Sequence, residues 1–426
     1  MRCYLTHLLA SATLALASTA AFNWFTDPYA IFGSPRLPNI NEAKPLVTDN
    51  IRIFKMVGYL HHPMDALILG TSRAHVGLNP KHQAFNGLRT VNLAMPSQPN
   101  AETALLFKFV AEHNSLQMAV IGLDFFASNA YLTFTPDFTP DNFAEDRKWK
   151  LLFSFDTVMA SRKTLFQQGR FPPAPDEAIT EARQKYSKQA LINSEKGYMW
   201  GGVYLPGPKC RFRFETEPSE TGKIQHTPPL EDIRALIALA HQHHVKLYLF
   251  ISPSHARQWE VLAALGLWDT WEDWKRQLVR INEEEAARAH QKPFPLWDFS
   301  GYHGISTENL PDSNVPGAEM AGYIESSHYK PAIGNLVLDR LFDLKVPGGT
   351  LPQDFGVLLT QDAIERHLEA IRSARMRYRQ THSRDIAEIA NFEREVKLQN
   401  RCIDYTHPAP EPVTAAGTGT GKVAVR

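Results

Sequence analysis

Cysteine is scarce. Only Cys3, Cys210 and Cys402 occur in 426 residues, too few for a disulfide-rich scaffold or a thiolate metal cluster. No spacing of His, Cys and Asp resembles a metal site, so neither metal nor cofactor is expected. An excess of either charge is missing too. Lys and Arg number 45, as do Asp and Glu, for a formal net charge of zero. No basic field is available to attract nucleic acid, which removes that class of partner. At 43% hydrophobic residues, the chain has ample material for a sizeable core.

What is present begins at the amino terminus. Met1 to His7 is short and basic, and an uncharged run rich in Leu and Ala follows from Leu8 to Phe25. This reads as an export segment. Ala15-Leu16-Ala17 has the small-x-small spacing a signal peptidase accepts. The run nevertheless stays apolar through Phe22, Trp24 and Phe25, about 18 residues and the lower limit for spanning a bilayer. An uncleaved anchor is the favoured reading, with Trp24 at the interface; cleavage and a buried helix are the alternatives. Cys3 would then be cytosolic or removed. Cys210 and Cys402 would share an oxidising compartment, as a bridge or as two free thiols.

The stretch that carries chemistry is Asp65-Ala-Leu-Ile-Leu-Gly-Thr-Ser-Arg-Ala-His75. Ala66 to Leu69 reads as a short buried strand, ended by Gly70. In an open α/β sheet, ligands bind at the carboxyl ends of the strands, where Ser72 would present its hydroxyl. The competing reading makes Ser72 a helix N-cap. Late in the chain, Tyr323-Ile-Glu-Ser-Ser-His-Tyr-Lys-Pro331 places Glu325 three residues before His328 and just ahead of a final helix, residues 331–341.

A serine at a glycine-terminated strand end, followed late by acid-x-x-His, resembles the SGNH (GDSL-type) hydrolase superfamily. Gly70-Thr71-Ser72 and Glu325-Ser-Ser-His328 look most like its cell-envelope branch. That branch includes alginate-type polysaccharide O-acetylation proteins and the D-alanyl-transfer protein of teichoic acid modification. The resemblance implies Ser72 as nucleophile, His328 as base and Glu325, in place of the usual Asp, as the orienting acid. Asp298 is the alternative acid. The family's second-block glycine corresponds to Ser97, a candidate oxyanion donor beside the Ser72 backbone N–H, and Asn129 is the stand-in for its third-block Asn. Arg73 either binds substrate or pairs at the surface, and His255 either contacts substrate or starts a helix.

The implied activity is that of an O-acyltransferase or esterase acting on an envelope or exported polysaccharide, with a possible membrane acyl-transfer partner. The implied location is the inner membrane, facing the periplasm. The alternative is a catalytically silent glycan-binding or scaffold protein.

The expected fold is α/β, a three-layer sandwich around a five-stranded parallel sheet of flavodoxin-like type, with strands near 66–69, 89–93, 118–123, 245–251 and 294–298 and helices on both faces. Residues 1–26 form the signal or anchor, 27–60 a lead-in and 61–345 the main domain. Residues 131–223 interrupt strand–helix alternation and read as an insertion. It holds one plausible helix (175–190), and its Tyr198, Trp200 and Tyr204 either stack on sugars or pack on the core. The Trp268, Trp271 and Trp274 stripe reads as core. Residues 346–402 read as a charged, solvated helical extension and 403–426 as a disordered tail.

Overall fold

The computed structural model describes residues 1–171, 187–200, 202–205, 211–216, 227–312, 315, 317–344 and 351–398. In chain order, the elements are α1 (Arg2–Thr26), β1 (Ala66–Leu69), α2 (Ser72–Gly77), β2 (Thr90–Asn92), α3 (Asn100–His113) and β3 (Met118–Leu123). Among the described residues of the insertion, three helices follow: α4 (Arg147–Leu152), α5 (Phe155–Phe166) and α6 (Lys188–Met199). Next come α7 (Pro229–Gln242), β4 (Lys246–Ile251), α8 (Ala256–Ala264), α9 (Trp268–Arg288), β5 (Leu296–Asp298) and α10 (Pro331–Leu341). The chain continues through β6 (Val357–Leu358), α11 (Ile364–Thr381) and α12 (Ser383–Leu398).

The sheet runs β2-β1-β3-β4-β5-β6, with β6 alone antiparallel. The five expected strands are therefore joined by a sixth. Two residues at a sheet edge are too short to carry a period-2 signal, which is why β6 escaped sequence reading. The order around β1 and β3 reverses direction, and ligands bind at such switch points in open sheets.

Strand side chains alternate between two clusters, as the pleat requires. Leu67, Leu69, Ile121 and Leu249 join Leu106, Phe107, Ile237 and Trp274. Ala66, Ile68, Val120 and Phe250 join Val337 and Leu338 of α10. Both faces are apolar, so the strands read as continuous hydrophobic runs. Trp271 and Trp274 are buried, and Trp259 stacks on Trp271, as the core reading of the tryptophan stripe expects.

Two segments depart from the sequence reading. The carboxy-terminal helices are docked rather than solvated: Leu368, Ile371, Tyr378, Ile389, Phe392 and Val396 are buried. Their charges face partners, with Arg372 on Glu272 and both Arg375 and Arg379 on Glu260. The helix expected over 175–190 lies largely outside the described residues. So do Cys210 and Cys402, the tail and parts of the insertion. Within the lead-in, residues 53–57 form a π-helical turn that buries Lys55.

Candidate active site

Gly70 ends β1 at φ +137, and a Cβ there would stand 2.9 Å from the Gly122 carbonyl. Glycine is therefore required for β1 and β3 to run this close at their ends. The helix cap is Thr71, whose hydroxyl accepts from the Arg73 N–H (3.3 Å). That frees Ser72, half-buried at the first helical position, from the capping role.

Ser72 Oγ lies 2.7 Å from His328 Nε2. The other ring nitrogen, Nδ1, is hydrogen-bonded to Glu325 Oε1. The carboxylate is itself fixed: it accepts from the backbone N–H of His328 (2.8 Å) and of Ser327 (2.9 Å), and from the Ser194 hydroxyl (2.8 Å). Burial alone would raise its pKa. The His328 ring and these donors outweigh burial and pull it from 4.5 to about 2. A serine, a histidine and an ionised acid are thus linked in one chain of hydrogen bonds, the arrangement that activates a hydroxyl nucleophile.

Two glycines let this chain form. A Cβ on Gly334 of α10 would fall 1.8 Å from the Gly77 carbonyl, and one on Gly77 would fall 1.9 Å from the Tyr329 ring. The contact presses α2, which starts at Ser72, against α10, which starts three residues after His328. Loop contacts finish the job. The Ser254 hydroxyl donates to the Ser327 carbonyl (3.0 Å), and the His255 N–H donates to the Ser326 carbonyl (3.0 Å).

The remaining candidates take other places. Arg73 is buried and does not reach the surface. Its guanidinium donates to Asp124 Oδ1 (2.7 Å), Ser327 Oγ (3.1 Å) and the Tyr204 hydroxyl (3.2 Å). Asp124 also accepts from Thr71 Oγ1 at 2.5 Å, so one carboxylate clamps both neighbours of Ser72. His255 is buried as well. Its Nε2 meets the Glu308 carbonyl (2.7 Å) and its Nδ1 caps α8 through the Arg257 N–H. Burial is the main reason its pKa falls to about 4, so it stays neutral. The helix-start reading of His255 is the one its contacts match.

Asn129 is not an oxyanion donor in this arrangement. Its amide N–H groups go to the Tyr204 and Arg211 carbonyls, tying the insertion to the core. Asp298 is likewise engaged elsewhere: it accepts from Lys275 (2.7 Å), His367 (2.8 Å) and Ser300. Ser97 adopts φ +52, the left-handed conformation that favours glycine. Its turn adjoins the Ser72 loop, because the Met95 N–H donates to the Gly70 carbonyl (3.1 Å).

Sequence reasoning missed Asp124, Ser194 and Lys55. Lys55 Nζ contacts His75 Nδ1 (2.7 Å) and donates to the Asn92 and Ala94 carbonyls. Only the lone Lys in an otherwise apolar turn, Ile53-Phe-Lys-Met-Val57, hinted at it. Tyr204 is buried and the half-buried Tyr198 packs edge-on against it, 5.5 Å between ring centroids, which puts both into the packing role rather than sugar stacking. No group of three or more metal-ligating side chains occurs among the described residues.

Comparison with models of known families, with curated proteins and with solved structures finds no match. The chemistry rests on geometry alone.

Proposed function

We propose that this protein is a serine-dependent O-acyltransferase or esterase of SGNH type, built as a three-layer α/β sandwich. In this reading α1 anchors it in the inner membrane, and it acts from the periplasmic side on acyl groups of an envelope polysaccharide. The observation that carries the reading is the continuous Ser72–His328–Glu325 hydrogen-bonded chain. Ser72 Oγ attacks the acyl carbonyl carbon while His328 Nε2 takes its proton. The oxyanion is met by the Ser72 backbone N–H, with Ser97 as second donor. The alcohol leaves with the proton from His328. Water or an acceptor hydroxyl then releases the acyl group by the same steps in reverse.

One observation favours the second reading, a silent glycan-binding scaffold. Both residues standing near the family's third-block Asn, Asp124 and Asn129, are spent on structural bonds. Turnover separates the two. Ser72→Ala and His328→Ala should each lower hydrolysis of a chromogenic acetyl ester by about 10³-fold or more, with the double variant hardly worse than either single one. A folded Ser72→Ala protein with unchanged turnover overturns the nucleophile assignment. Glycan binding by wild type and Ser72→Ala alike, without turnover by either on ester or acceptor, favours the scaffold.

A further inference from the structure

Helix α5 is amphipathic in the wrong sense for a helix facing water. Its buried positions are small and polar: Thr157, Ser161 and Thr164. Its exposed face carries Phe155 (72% exposed), Met159 and Phe166 (70%), and the neighbouring α4 segment adds Trp149 (64%) and Phe153. A water-facing helix would show the reverse pattern. Small residues on the packed side are what allow close helix contact within membranes.

The helix they pack against is α1. It has 25 residues, is apolar enough to cross a bilayer, and the most apolar 18-residue window has no buried residue. Its last turn is a fixed joint. Asn23 is buried, donating to the Leu152 (2.9 Å) and Ser154 (3.2 Å) carbonyls and accepting from Ser161 Oγ (3.1 Å). Asn41 and Lys44 donate to the last carbonyls of α1, those of Phe25 (2.6 Å) and Thr26 (2.8 Å). The joint therefore sets α4 and α5 beside the point where α1 meets the globular part, with Trp24 exposed at the same level.

The bases of this region are partly paired: Arg147 faces Asp141 (3.6 Å) and Lys150 faces Asp146 (3.0 Å), so the cationic part of this face rests on Lys148, Arg162 and Lys163, with Glu145 and Asp156 as the nearby acids. Arg162 lies over the Phe166 ring, 5.5 Å from its centroid, joining the cationic and apolar parts of one face.

We infer that α4 and α5 form an interfacial platform that lies on the bilayer crossed by α1. Phe153, Phe155, Met159 and Phe166 enter the boundary between headgroups and acyl chains, and Arg162 and Lys163 on the same helix reach lipid phosphates. The occupant of this face is lipid. Its continuity with the spanning helix and the inverted amphipathicity both point to that partner. The domain would then be held against the membrane at a fixed tilt instead of swinging on a tether. This inference needs α1 to sit in a membrane and does not need the triad to be active.

The test uses the full chain in nanodiscs of phosphatidylcholine and phosphatidylglycerol doped with a phospholipid bearing a diazirine on its acyl chain. After irradiation and digestion, mass spectrometry maps the adducts. Adducts are expected in residues 147–166 as well as in α1. The Phe155→Ser/Met159→Ser/Phe166→Ser variant, its fold checked by circular dichroism, should lose at least about tenfold of the 147–166 labelling and keep that of α1. Wild-type adducts confined to α1 would overturn the inference, and the α1 signal shows in the same sample that insertion succeeded. Protection of residues 147–166 by a co-purified membrane protein, in place of lipid adducts, would overturn it too.

Discussion

Gly334→Ala gives two opposite expectations, and the structure decides between them. Helix propensity alone favours Ala over Gly in a helix interior by about 1 kcal/mol. The added Cβ would, however, sit 1.8 Å from the Gly77 carbonyl oxygen, and backbone cannot yield as a side-chain tip can. Reaching ordinary contact means opening the α2–α10 contact by more than about 1 Å. Overpacking of that kind costs about 1–3 kcal/mol, so the net change should be destabilising. The functional effect should be larger than the stability effect. Ser72 rides on α2 and His328 precedes α10, so the same opening stretches their 2.7 Å bond toward the limit of hydrogen bonding. A displacement of this size costs about 10²-fold in rate. Thermal melting and acetyl-ester turnover measure the two effects side by side. A Gly334→Ala protein that is more stable than wild type and equally active would refute the packing argument.

Two further outcomes follow from the electrostatics. Glu325 has its pKa lowered to about 2 in the folded protein, so it contributes stability that is complete above about pH 4.5 and drains away as pH falls toward 2; Glu325→Gln should flatten that acid limb in pH-dependent melting, and an unchanged limb would contradict the assignment. Asp124→Asn leaves Arg73 buried without its counter-charge and should destabilise by about 3–5 kcal/mol, read from denaturant midpoints, whereas a loss below about 1 kcal/mol would mean that the clamp around Ser72 is dispensable.

What could be read in advance was local in sequence. Ala66 to Leu69 ending at Gly70 announces a buried strand and a sharp turn, and Glu325-x-x-His328 brings acid and base within reach of each other across a few bonds of backbone. Long-range partners left no such trace. Arg73 looks like a surface residue until Asp124, Ser327 and Tyr204, from three distant segments, surround it. Ser194 reaches Glu325 from α6, inside a region that shows no strand–helix pattern. Gly77 and Gly334 are 257 positions apart, and nothing in either neighbourhood marks them as a pair. The charged pattern of residues 360–397 concealed a docked helix pair, because its acids and bases find partners on α8 and α9 as well as within the pair.

The most direct test of the central claim is a serine-directed fluorophosphonate applied to the full-length protein, with the modified residue located by peptide mass spectrometry. The account predicts one adduct, on Ser72, lost in Ser72→Ala and strongly slowed in His328→Ala. An adduct on another residue, equal labelling of a folded Ser72→Ala variant, or no labelling of folded wild type would contradict it.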